Sequence, residues 1–192
     1  GQAQGIGGGF AFVHDGDLPT IATPTDFLGV NYYTRAIIRS RAVPESLNEP
    51  RLVPEPPASG LTDMGWEVYP DGLHSLLLRV HRDYAPRHLL VTENGAAYAH
   101  GPGSDGEVED GPRQVFLEGH LRACHQAIQE GVPLRGYFAW SLIDNFEWAH
   151  GYRKRFGLVH VDYPTQRRTV KQSGRWFASV ARANALREGG TS

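Results

Sequence analysis

The stretch His88-Leu-Leu-Val-Thr-Glu-Asn-Gly95 is a short apolar run that ends abruptly in a carboxylate, an amide and a glycine. An apolar run of this length bounded by turn residues reads as a fully buried strand. An unpaired buried carboxylate is very costly, so Glu93 at the strand's last position belongs at the mouth of something polar. The other residues with chemical potential are arranged around that mouth.

Working outward, Asp26 to Ile38 reads as a long strand whose first half is apolar enough for burial on both faces, as in parallel sheets. Residues 39 to 64 follow as a Pro-, Glu- and Ser-rich loop. Tyr69-Pro-Asp-Gly72 opens a helix with an apolar stripe of Leu73, Leu76, Leu77 and Val80, since proline near a helix start sacrifices no bond. After Glu93 comes a glycine- and acid-rich loop, then a second helix from Asp110-Gly-Pro112 to about Glu130. Cys124 stands in line with Leu117, Leu121 and Ile128 on that helix, which makes it a small buried apolar residue. Leu134 to Trp140 is a further apolar strand, and Ser141 to Phe156 a loop rich in aromatic and charged residues. A hairpin pairs Gly157–Asp162 with the segment around Arg167–Val170, and a last helix spans about Gln172 to Arg187, with Trp176, Phe177 and Val180 facing inward.

Strands alternating with helices imply an α/β fold with a parallel sheet and helices packed outside. Chemistry in such sheets lies at the carboxyl ends of the strands. Those ends carry Asn31-Tyr-Tyr33, Glu93-Asn94 and Trp140-Ser141, with Asp144-Asn-Phe-Glu-Trp148 just beyond. A carboxylate beside a tyrosine hydroxyl and ringed by tryptophans suits a polyhydroxylated ligand with flat C–H faces, that is, a sugar. Taken singly, Trp140 and Trp148 read equally as core and Glu147 as a solvated loop charge; their coincidence at three strand ends weakens that reading.

The bulk properties narrow the function classes. The chain has 192 residues and a formal net charge of −2, which suits one ordinary domain with a real core. Without basic blocks, nucleic acid is not an expected partner, and no apolar run reaches the roughly 18 residues that cross a bilayer. No signal-peptide pattern is seen, so the expected location is cytoplasmic. One cysteine excludes an internal disulfide, and the nine histidines are scattered, so no metal site is expected.

The segments Asp26-Phe-Leu-Gly-Val-Asn-Tyr-Tyr-Thr34, Thr62-Asp-Met-Gly-Trp-Glu-Val-Tyr-Pro70, Val91-Thr-Glu-Asn-Gly95 and Ala139-Trp-Ser-Leu-Ile-Asp-Asn-Phe-Glu-Trp148 resemble glycoside hydrolase family 1, as does Gly151-Tyr-Arg-Lys-Arg-Phe-Gly-Leu158. The resemblance implies part of a TIM (β/α)8 barrel of retaining β-glycosidases, mostly β-glucosidases, with no cofactor. It matches Glu93 to the catalytic nucleophile that forms a covalent glycosyl-enzyme. Tyr33 matches the tyrosine that bonds this carboxylate and favours its ionised form. Trp140 resembles the sugar's stacking platform, Glu147 the acceptor for O4 and O6 hydroxyls, and Trp148 the indole donor to O3. Trp66 resembles an aglycone-side wall, and Asn31 and Phe156 line the pocket. The family also implies a cis peptide at Trp140-Ser141.

A retaining mechanism needs a second carboxyl group, which the family carries in a Thr-x-Asn-Glu-Pro motif on an earlier strand. The near-match Ser46-Leu-Asn-Glu-Pro50 follows no buried apolar run, so Glu49 is not expected to fill that role. The chain thus reads as about the last three strand–helix units of the barrel. Residues 1–10 are a flexible or artificial junction, 11–188 the barrel portion and 189–192 a tail. The expected partners are a β-glucoside or oligosaccharide and either an N-terminal barrel fragment or further copies of the chain. The alternative is a non-catalytic sugar-binding or self-assembling half-barrel. The sugar's C4 configuration is not legible.

Overall fold

The computed structural model describes residues 12–36 and 60–186. Glu49, the junction through Gly9, most of the Pro-rich loop and the tail beyond 186 lie outside these residues.

Three parallel strands form the central sheet in the order β1 (Leu28–Asn31), β2 (Leu89–Asn94), β3 (Leu134–Ala139). The helices α2 (Pro70–Tyr84) and α3 (Gly111–Gln129) connect them, after a short helix α1 (Asp17–Ile21) that the sequence reading did not anticipate. Beyond β3, the hairpin β4 (Val159–Asp162) and β5 (Arg167–Val170) leads into α4 (Gln172–Ala183).

The helix limits follow from local chemistry. Pro70 occupies the first turn of α2, where its missing N–H costs nothing. The helix stops at Ala85, whose left-handed φ of 45° precedes Pro86. Leu73 and Leu77 of α2 are fully buried against Leu89 and Val91 of β2, with Leu76 and Val80 packed at the margin. Along α3 the buried face runs Arg113, Phe116, Leu117, His120, Ala123, Cys124 and Ala127, the spacing of one helical stripe. Cys124 is buried as expected, its thiol pushed up to about 12 by desolvation. Ile128, expected on the same face, is exposed, because the buried stripe continues from Cys124 through Ala127 and leaves Ile128 outside it. On α4, Trp176 and Phe177 pack against the Phe116–Leu158 cluster, whereas Val180 is only half-buried.

Two further expectations need correction. The strand read as Asp26–Ile38 is four residues long in β1, and 37–38 lie outside the described residues. Its first half is not buried on both faces: Phe27 and Leu28 are 51% and 37% exposed. The cause is position, since among the described residues β1 pairs only with β2 and is a sheet edge. β3 is the other edge, and Phe138 on it is 57% exposed.

Candidate active site

The strand register brings the chemical residues together. Irregular pairing after Val30 sets Asn31 opposite Glu93, and a second irregularity places Asn94 opposite Ala139. Departures of this kind re-aim side chains at strand ends. Backbone bonds extend the alignment past the strands, from the Tyr32 amide to the Glu93 carbonyl and from the Trp140 amide to the Asn94 carbonyl, both 2.9 Å. Between them Gly95 presses on the Trp140 backbone so closely that a Cβ would run into its carbonyl oxygen. That close approach explains the glycine after Glu93-Asn94.

Asn94 is the buried pin of this arrangement. Its amide donates to the Tyr32 carbonyl at 2.7 Å and its side-chain oxygen accepts from the Tyr137 hydroxyl, so one side chain ties all three strands. Beyond it the Tyr33 hydroxyl donates to Glu93 Oε2 at 2.7 Å. Burial, then this hydrogen bond, then the charges of Glu93 and Glu147 raise the Tyr33 hydroxyl well above the usual phenol range. The proton therefore stays on Tyr33, which acts as donor to the Glu93 carboxylate.

An aromatic wall stands beside this pair. Trp66 and Phe156 meet Tyr33 edge-on, with ring centroids at 5.5 and 6.3 Å, and each other at 6.2 Å. Trp66 is presented by a tight turn in which the Thr62 amide donates to the Trp66 carbonyl at 2.9 Å. This turn is fastened to the segment after β1 by Thr34 Oγ1 on the Glu67 carbonyl and by the Arg35–Glu67 ion pair, at 2.9 and 2.7 Å. Asn31 sits at the rim, exposed, accepting from Thr92 Oγ1 at 2.7 Å.

The Ser141–Phe156 loop is held by a carboxylate below it. Buried Asp144 accepts from Lys171 Nζ at 2.9 Å, from Arg155 at 3.1 Å and from the Gly157 amide at 2.9 Å. Burial and then the Arg113 charge lower Lys171 to about 8, while Asp144 works in the opposite direction. The Trp140–Ser141 peptide is cis, as the resemblance implied. From it Ser141 Oγ reaches Asn145 at 3.0 Å, and the Asn145 amide donates to Glu147 Oε2 at 3.1 Å. Glu147 is thus oriented through a chain that starts beside Trp140, and its charge is felt at Tyr33. Trp148 differs: it is 82% exposed and has no recorded ring contact among the described residues. A separate cavity of about 490 Å³, lined by Asp63, Ala99, His150, Arg153 and Lys154, includes none of the Tyr33, Glu93, Trp66 or Phe156 side chains.

Sequence reading missed the supports under the cup. Asp110 looked like a helix-opening residue, and Arg113 drew no comment, yet both are completely buried and bonded at 2.8 Å. A signal did exist: Arg113 and His120 fall on the apolar stripe of α3, where a polar residue must find a partner. Among the described residues, no group of three or more His, Cys, Asp or Glu is gathered as a metal site would require.

Comparison with known proteins gives the family of the chain. The model of Glycosyl hydrolase family 1 matches residues 2–186. The chain is 44% identical to β-glucosidase A of Thermotoga maritima over 174 residues and 45% identical to the β-glucosidase of Agrobacterium sp. over 179. These alignments cover 90% and 93% of this chain but only 38% and 39% of the relatives, so the chain spans well under half of their length. The solved family 1 β-glucosidase of Thermotoga maritima in complex with isofagomine lactam superposes with a TM-score of 0.79 at 42% identity, covering 89% of this chain and 37% of that one. The parallel sheet with its outer helices matches part of the TIM barrel of such enzymes. The chain belongs to glycosyl hydrolase family 1.

Proposed function

We propose that this chain carries the nucleophile side of a retaining β-glycosidase of the β-glucosidase type, acting on terminal β-D-glucosyl residues once the rest of the barrel is supplied. The observation that carries this reading is the 2.7 Å bond from Tyr33 to Glu93 at the mouth of the central strand. A carboxylate held by a fixed donor, half-open to the cup, has one oxygen free to attack an anomeric carbon. That attack expels the leaving group and forms an acylal ester at Glu93, which water then cleaves with net retention. The second carboxyl group, which protonates the leaving oxygen, comes in this reading from the part of the relatives' length that this chain does not span.

Trp140 serves as the platform under the sugar ring, Glu147 takes its O4 and O6 hydroxyls and Trp148 its O3. Trp66 and Phe156 wall the cup, with Asn31 at the rim. The exposure of Trp148 fits a residue that finishes its packing on the ligand or on the part of the barrel that this chain does not span. The three strand–helix units correspond to about the last three of the barrel, within residues 11–188, and the expected location is cytoplasmic.

Mixing the chain with the remaining part of a family 1 barrel should restore hydrolysis of an aryl β-glucoside. Restoration that Glu93→Gln leaves equally strong would refute the nucleophile assignment. The exposed Phe27, Leu28 and Phe138 on the two sheet edges favour a second reading for the chain by itself, self-association through those edges. Sedimentation would show it as a dimer or larger species.

A further inference from the structure

Arg113 emanates from the first turn of α3 and ends directly beneath the two segments that form the cup. A guanidinium has five N–H donors in a fixed planar fork. Here the fork is fully used. Nε donates to Asp110 Oδ2 at 2.8 Å, one terminal nitrogen to the carbonyls of Ala96 and Phe156, and the other to those of Tyr98 at 3.2 Å and Arg155 at 2.9 Å. Ala96 and Tyr98 lie just past Glu93, whereas Arg155 and Phe156 close the Ser141–Phe156 loop. The Phe156 carbonyl also accepts from the Ser141 amide at 3.3 Å. Asp110 is held in turn by the amide and hydroxyl of Ser173 on α4, at 2.8 and 2.6 Å.

We infer that Arg113 is a positioning residue for the proposed reaction: it clamps the backbone after the nucleophile to the backbone of the aromatic wall, so that Glu93 and Phe156 keep one fixed separation. This rests on the reading of Glu93 given above. The geometry argues for it in three ways. The contacts are to carbonyls, which sequence change at those positions cannot alter. They come in pairs, one from each segment on each terminal nitrogen. The whole group is buried, where a charge-assisted bond is stronger and an unmade one more costly. Phe156 carries the effect on to the site, because its ring packs edge-on against Tyr33, which holds Glu93. A lysine would keep the charge beside Asp110 but could not span four carbonyls with three donors on a point charge.

The test uses the full chain with tyrosine labelled at 13Cζ, the Tyr33 line being assigned through Tyr33→Phe. Arg113→Lys should shift the Tyr33 line while circular dichroism remains that of the folded protein. An unmoved Tyr33 line in folded Arg113→Lys overturns the inference. Should that variant not fold, Ser173→Ala, which removes one of the donors anchoring Asp110, decides in its place: the expected shift is in the same direction and smaller, and an unmoved line overturns the inference. A second arm reconstitutes activity with the part of Thermotoga maritima β-glucosidase A outside the matched region. Misplacement of about 1 Å costs roughly 100-fold, so kcat per titrated site should fall by about that factor in Arg113→Lys with KM changed only a few-fold. A loss fully explained by fewer titrated sites would mean a purely structural role and overturn it. If the unaltered chain restores no activity, the proposed function fails, while the Tyr33 line still decides the role of Arg113.

Discussion

The middle strand and the outer strands of this sheet are built to different standards. At the end of β2 the polar groups are tied together: Asn94 joins three strands, Tyr33 caps Glu93, and the Arg113 fork spends all its donors. Leu89 and Val91 are wholly buried. At β1 and β3 large apolar side chains face outward instead, as Phe27, Leu28 and Phe138 do. The difference teaches that one wall of a cup is tightly fastened by hydrogen bonds, while the strands to either side leave large apolar side chains exposed. Burying such apolar area is favourable at about 25 cal/mol per Å², so under the proposed function the edges are where a complementary part of the barrel would gain its free energy of association.

The contrast can be broken from its finished side first. Arg113→Met leaves Asp110 as a buried carboxylate that has lost its cation, and removing one member of such a pair typically costs about 3–5 kcal/mol. Urea unfolding of the chain should show that loss, and a change below about 1 kcal/mol would mean that the fork is not a keystone.

The next effect is one of pH. His120 lies buried among Phe116 and Tyr32, its Nδ1 at 2.8 Å from the Phe116 carbonyl and its Nε2 without a partner. Desolvation brings it down to about 4 from 6.5. The folded state therefore binds fewer protons than the unfolded state between those values. His120 contributes its full stability above about pH 6.5 and loses it as the pH falls toward 4, by roughly 3 kcal/mol for a shift of this size. In His120→Phe the acid limb of the stability profile should flatten over that window; an identical limb would show that other groups govern it.

Smaller still, Tyr33→Phe removes one hydrogen bond and should cost about 1 kcal/mol in stability. In a reconstituted enzyme it should lower kcat more than it raises KM, because the donor acts on the attacking carboxylate. An effect confined to KM would place Tyr33 in sugar binding instead. The smallest change in stability belongs to the edge: Phe138→Ser on the isolated chain should stay within about 0.5 kcal/mol, as exposed substitutions do. It sharpens the comparison only if it also weakens association with a complementary fragment, measured by sedimentation or titration.

Much of this was legible beforehand, and the boundary of legibility follows the physics. The strand ending in Glu93, the helix after Tyr69-Pro70, the helix after Asp110-Gly111 and the β4–β5 hairpin are set by local chemistry and stand where the sequence puts them. The Tyr33–Glu93 pair followed from family motifs, and periodicity alone would have placed Tyr33 only near a strand end. What failed depends on neighbours. Phe27 and Leu28 are apolar enough to read as buried but lie at the edge of the described sheet, and Ile128 shares the spacing of Cys124 although the buried stripe runs through Ala127 instead. The stripe of α3 signals that Arg113 is buried, but not what its fork holds, since apart from Asp110 its partners are backbone carbonyls from Ala96 to Phe156, which carry no sequence signature.

The most direct test of the central claim is to mix the chain with a complementary family 1 barrel fragment, add an activated 2-deoxy-2-fluoro β-glucoside and map the adduct by peptide mass analysis. The account predicts one fluoroglucosyl group on the peptide containing Val91-Thr-Glu-Asn-Gly95, at Glu93, and none in Glu93→Gln. Restored hydrolysis with the label on another carboxylate, or with no dependence on Glu93, would contradict it.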